Sequence, residues 1–123
     1  MIQRYAPGGA SLNPEGGHLM LSPSQPGTVL KFQAKPGRGD RLFELTNQLH
    51  FTGDPDGPTD WVLCRADDDP DTLWAFEFYK DDASFERHFS NPEIDKNHEE
   101  VIDLLAGPPT RVNVRPAYSG FTS

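Results

Sequence analysis

The stretch TLWAFEFYKDDASFERHFSNP, residues 72–92, changes its period part-way along, and that change decides the fold. From Thr72 to Lys80 bulky side chains alternate, with Leu73, Ala75 and Tyr79 on one side and Trp74, Phe76 and Phe78 on the other. Alternation rich in aromatics reads as a β-strand, here one with apolar groups on both faces. Asp81 and Asp82 then open a helix through Ala83 to Ser90, and Asn91-Pro92 breaks and restarts it, because proline suits the first turn of a helix.

On the N-terminal side, DWVLCRA forms the strand before this one, and DDDPD joins the two as a hairpin. Further back, TVLKFQAK is a half-buried strand stopped by Pro36-Gly37. Asp40 is the expected cap of a helix whose Leu42, Leu45 and Leu49 follow helical spacing, with Phe43 and His50 on a second flank. FTGDPDGPTD is a turn-rich loop. On the C-terminal side, EIDKNHEEVIDLLAG predicts one helix with Ile94, His98, Val101, Ile102 and Leu105 on a single face, ending at Gly107. TRVNVRPAY makes a fourth strand, along which Arg111, Asn113 and Arg115 share a side. The order β-α-β-β-α-β is the split pattern of an α+β, ferredoxin-like domain: a four-stranded antiparallel sheet with helices on one face. A sheet apolar on both faces, with helices for only one, calls for a partner sheet and predicts a homodimer.

Residues 1–27 are rich in Gly, Pro and Ser and lack a period, so they read as a flexible arm; 28–118 form the domain and 119–123 a tail. The 123 residues suffice for one core without staples, and the single cysteine, Cys64, excludes an internal disulfide and leaves no pair for a zinc site. Its strand setting reads as a buried, inert thiol. A net charge of -8 argues against nucleic acid and anionic membranes as partners. No apolar run is long enough to span a bilayer and no signal-peptide pattern opens the chain, so the expected location is the cytoplasm. Asp67, Asp68, Asp69 and Asp71 lack the spacing of a calcium loop and read as a solvated turn.

The run Glu77-Phe-Tyr79-Lys80-Asp81-Asp-Ala83-Ser-Phe85-Glu86-Arg-His88, followed by Phe-Ser-Asn-Pro92, resembles the signature of the antibiotic biosynthesis monooxygenase family. There an acidic residue and an aromatic close a strand, an acidic cap opens a helix, and a histidine follows. Ala34-Lys35-Pro36-Gly37 matches as well. One departure stands at DPDGPTDW, where family members often carry a Pro-Gly-Cys-like turn. The resemblance implies a dimeric α+β barrel with a pocket between sheet and helices in each subunit. It implies activities such as cofactor-independent oxidation of phenols or quinols by dioxygen, haem degradation or isomerisation; some members have no known reaction.

On that resemblance His88 is the expected proton acceptor and Tyr79 the donor that supports the resulting anion. Trp61, Trp74, Phe76, Phe78, His50 and His98 are expected to bind the substrate. The apolar stripe turns His98 inward, at the position of the iron ligand in haem-degrading relatives. Those relatives, however, carry a strand-end tryptophan where Tyr79 stands and an asparagine that the first strand lacks. The expectation is thus a cofactor-independent monooxygenase with no metal. Alternatives are a non-oxidative isomerase or polyketide-type cyclase and a non-catalytic small-molecule-binding dimer, with haem degradation behind them.

Overall fold

The computed structural model describes residues 21–120. Strands β1 (Gly27–Gln33), β2 (Asp60–Ala66), β3 (Asp69–Phe78) and β4 (Thr110–Val114) alternate with helices α1 (Gly39–Thr52), α2 (Asp82–Ser90), α3 (Pro92–Asn97) and α4 (Glu99–Leu104). The sheet order is β2-β3-β1-β4, with each neighbouring pair antiparallel. The predicted α+β, ferredoxin-like fold is present.

The strand register sorts the sheet into two faces, because directly paired residues project to the same side. One row runs Leu63, Ala75, Leu30, Arg111 across the four strands. This is the face the helices cover. Leu73 and Ala75 from β3, Leu42 and Leu45 from α1, and Val101 and Leu104 from α4 close the core there, joined by Ala34 and Leu105. Leu42 and Leu73 have no exposed surface; burying each side chain contributes roughly 1.5–3 kcal/mol. The next row, Val62, Phe76, Val29, Val112, lies on the other face, where no helix packs. Val62 and Val112 remain 44% and 61% exposed there.

Three local expectations are corrected. The cap of α1 is not Asp40. Asp71 reaches over from β3 and accepts from the backbone N–H groups of Gly37 (3.0 Å) and Gly39 (2.9 Å), satisfying donors that the helix start leaves open. The fit needs glycine at 39, since a Cβ there would run into the Pro70 carbonyl and Asp71. Second, Cys64 is in a strand but exposed, because β2 is an edge strand and the thiol falls on the uncovered face. Third, the single helix expected after Pro92 is two short ones with His98 between them. Both the backbone N–H of His98 and its ring Nδ1–H donate to the Ile94 carbonyl, at 3.0 and 2.6 Å. A side chain that competes for a helix carbonyl in this way bends the ladder. The segment stops at Leu104 because Leu105 turns extended and pairs with Ala34.

Of the arm assigned to 1–27, residues 1–20 lie outside the described residues, as do 121–123 of the tail. Gln25 and Pro26 are buried, and the chain there is tied to β3: Tyr79 N–H donates to the Pro26 carbonyl at 2.9 Å, and Gln25 Nε2 to the Tyr79 carbonyl at 3.3 Å. Among the described residues no helix is long and apolar enough to cross a membrane.

Candidate functional site

Between the covered face of the sheet and the helices lies a cavity of about 550 Å³. Its walls are mostly apolar, from Leu30 and Phe32 on β1, Leu49 on α1, Ile94 on α3 and Val101 on α4. Into this apolar lining the elements set a small number of polar groups: His50, Glu77, Tyr79, Asp54, His88, His98 and Arg111. Mostly apolar walls with few convergent polar groups are the usual make-up of a small-molecule site.

Glu77 is the departure at its centre. The inward positions of β3 run Leu73, Ala75, Glu77, with Tyr79 just past its end, so the alternation that buries leucine and alanine also buries a carboxylate, which is 7% exposed. Such a group is tolerated when hydrogen bonds replace lost water. Glu77 accepts from Thr28 Oγ1 at 3.4 Å and Tyr79 Oη at 3.2 Å, and its Oε2 lies 2.6 Å from His50 Nε2. The other nitrogen of His50, Nδ1, donates to the Thr46 carbonyl at 2.8 Å. A carbonyl only accepts, so Nδ1 carries a hydrogen. The Nε2–Oε2 contact then holds one further proton, which makes the pair imidazolium and carboxylate or imidazole and carboxylic acid. Burial opposes the charged ring and is the largest single influence on it. The hydrogen bond and charge of Glu77, with the Thr46 carbonyl, together outweigh burial and raise the His50 pKa above its ordinary value. Trp61 packs on the other side of this imidazole, ring centroids 4.6 Å apart.

Tyr79 has no exposed surface. Burial first, then the charge and hydrogen bond of Glu77, push its phenol well above the ordinary range, while Arg111 pulls slightly the other way. The phenol therefore stays neutral with its proton directed at Glu77.

His88 comes from α2, whose first turn is fixed by Asp81 accepting from the Ser84 N–H at 2.8 Å. Its Nδ1 donates to Asp54 Oδ2 at 3.1 Å, and the two side chains are 12% and 9% exposed. Asp54 stands where the sequence departs from the family turn. Its carbonyl accepts from Gly57 N–H and its Oδ1 from Asp56 N–H, while Arg87 grips Asp56 through two nitrogens at 3.0 and 2.9 Å. The loop is thereby clamped to the helix that carries His88. With Nδ1–H committed to a carboxylate, Nε2 is the acceptor nitrogen of the neutral ring, and it has no protein partner among the described residues. The ring leans on Tyr79 and Phe89, with centroids 5.3 and 5.0 Å away. His98, with Nδ1–H on the Ile94 carbonyl, leaves its Nε2 as an acceptor in the same way.

The structure thus brings His88, Tyr79, His50 and His98 to one cavity, and Trp61 to the back of His50. Trp74, Phe76 and Phe78 do not line it; they pair with Cys64, Val62 and Asp60 on the uncovered face. Glu77 was part of the recognised run but carried no assigned role. The signal for it was an acid at an inward position of an otherwise apolar alternation. Asp54 carried no such signal. Among the described residues no three His, Cys, Asp or Glu side chains converge as they would around a metal ion.

A model of the antibiotic biosynthesis monooxygenase family matches residues 27–100, more than half of the chain. The chain belongs to this family. The same fold is found in solved structures of low identity. A Chloroflexus aurantiacus J-10-fl protein, provisionally named an antibiotic biosynthesis monooxygenase, is similar over 81% of this chain and 100% of its own, with 22% identity and a TM-score of 0.65. An asparagine-to-alanine variant of SnoaB, a cofactor-independent oxygenase from Streptomyces nogalater, is similar over 78% of this chain and 96% of its own, with 15% identity and a TM-score of 0.64. A conserved protein from Methanosarcina mazei Go1 is similar over 76% and 93%, with 20% identity and a TM-score of 0.63. No curated protein matches. At these identities the solved structures speak for the fold alone, and the turn from β3 into α2 is what brings Glu77, Tyr79 and His88 to the cavity.

Proposed function

We propose that the protein is a cofactor-independent monooxygenase that oxidises a small aromatic phenol or quinol with dioxygen inside this cavity, working as a homodimer. The observation that carries the reading is the Asp54–His88 pair, which holds an imidazole with an uncommitted Nε2 against an apolar space of about 550 Å³. Dioxygen reacts slowly with a neutral phenol and accepts an electron readily from a phenolate, so the protein's task is to take one proton and keep the anion. His88 Nε2 accepts the phenolic proton, and Asp54 stabilises the imidazolium that forms. The charged ring then stays beside the phenolate oxygen as its partner. After electron transfer the para carbon bonds to oxygen and loses its hydrogen. One oxygen atom ends in the quinone and the other leaves as water, so phenol plus O₂ gives quinone plus H₂O. Tyr79 and Glu77 hold the wall of the cavity, since the Tyr79 hydroxyl donates to Glu77.

His88→Ala should lower turnover of 1-naphthol-type phenols with a free para position by roughly 10²–10⁴-fold, the usual worth of a general base. An oxygen electrode beside product absorbance reads both halves of the reaction. Full oxygen uptake by the alanine variant would remove His88 as the base. Turnover without oxygen uptake would move the protein to the isomerase or cyclase class, which needs the same proton transfer and no oxidant.

A further inference from the structure

We infer that the ligand of this cavity is an aromatic carboxylate and that Arg111 selects it. The inference deepens the reading of the cavity as an aromatic site and rests on it. Arg111 projects from β4 on the covered face, next to Leu30, and lines the cavity together with Phe89. Its guanidinium carbon sits 4.2 Å from the Phe89 ring centroid. The chain carries 19 acidic residues against 11 basic ones, and arginines here readily find acids. Arg41, Arg65, Arg87 and Arg115 each pair with an Asp or Glu. Among the described residues Arg38 and Arg111 have no carboxylate partner, and of the two only Arg111 lines the cavity. The two acids that line the same cavity are engaged elsewhere, Asp54 with His88 and Glu77 with His50.

An arginine laid over an aromatic face keeps its guanidinium oriented and leaves N–H groups to bind a carboxylate, with two parallel bonds where the geometry allows. Arg111 is exposed and Phe89 is 40% exposed, so the charge stands at the mouth of the cavity while the apolar walls lie deeper. The His88 ring packs on the same Phe89. A ligand with its carboxylate on Arg111 therefore lies one phenylalanine ring away from His88, a distance suited to a one- or two-ring skeleton. The carboxylate fixes the orientation and leaves the rest of the skeleton free to react.

The test compares 1-naphthoate with 1-naphthamide, which match in shape and differ in charge, by calorimetric titration of the full chain. The wild-type protein should bind the naphthoate at least tenfold more tightly, and raising salt should weaken the naphthoate while leaving the amide unchanged. Arg111→Gln should lose the preference and bind both alike. Arg115→Gln, which removes an arginine paired with Asp82 away from the cavity lining, should keep it. Circular dichroism checks that both variants fold, and the wild-type comparison stands without them. Equal binding of the two probes to wild type would overturn the charge selection while leaving the aromatic cavity in place. Binding of neither would overturn both readings. A preference that survives in Arg111→Gln would take the role from this residue.

Discussion

His50 and Glu77 share a proton 2.6 Å from nitrogen to oxygen, at a position where each side chain is 9% exposed. The linkage follows from the direction of the shift. A histidine whose folded pKa lies above its ordinary value near 6.5 adds stability that is complete below that value. The contribution is lost as pH rises through the folded pKa. The stability gap between wild type and His50→Gln, from urea denaturation, should therefore be full at pH values below 6.5 and shrink as pH rises above it. A gap that stays level would mean that the ring does not gain its charge from Glu77. The helix also contributes, through the Thr46 carbonyl on His50 Nδ1, while the Thr46 hydroxyl beside it is buried without a partner among the described residues. At this scale His88 and Tyr79 were legible through the motif and His98 through the apolar stripe, while His50 was placed only on a second flank of its helix. Their partners were not. Glu77 lies 27 residues from His50, and Asp54 lies 34 from His88. Periodicity states which face a residue occupies but not which distant side chain meets it.

At the scale of elements, the first helix depends on a residue that belongs to a strand. Asp71 was read as part of a solvated turn, yet it accepts from two N–H groups at the start of α1. Asp71→Ala should lower unfolding stability by about 1–2 kcal/mol, the range for loss of a helix cap. Asp40→Ala, at the position where the sequence suggested the cap, should change it by no more than a few tenths. Chemical denaturation of the two variants separates them, and equal effects would return the cap to Asp40. The break at His98 belongs to the same scale. The stripe Ile94, His98, Val101, Ile102, Leu105 has good helical spacing, but a ring nitrogen that takes a helix carbonyl cannot be seen in a hydrophobic pattern.

For the whole molecule, the uncovered sheet face is the feature to explain. Val29, Phe76, Val62 and Val112 form one apolar row across all four strands, with Trp74 and Phe78 beside it on β3. Apolar surface that runs across a whole sheet marks an interface more often than a monomer surface. A homodimer built sheet against sheet would bury it, as proposed above. Light scattering behind a sizing column should give twice the chain mass. Val112→Glu, which buries a charge only if the faces meet, should give the chain mass with the fold intact. A monomeric wild type would sink the arrangement.

The order of the elements, the two-faced character of β3 and the inward turn of His98 were determined by the sequence itself. Each follows from spacing within a few residues, where the 2.0 and 3.6 periods act directly. The tertiary structure alone decided that Glu77 would hold His50, that the loop at Asp54 would orient His88, and that Arg111 would lie over Phe89 without an acid. These pairings depend on how loops and strands far apart in the chain pack around one cavity. Hydrogen bonds and charges act over a few ångströms of space, whatever the separation in sequence.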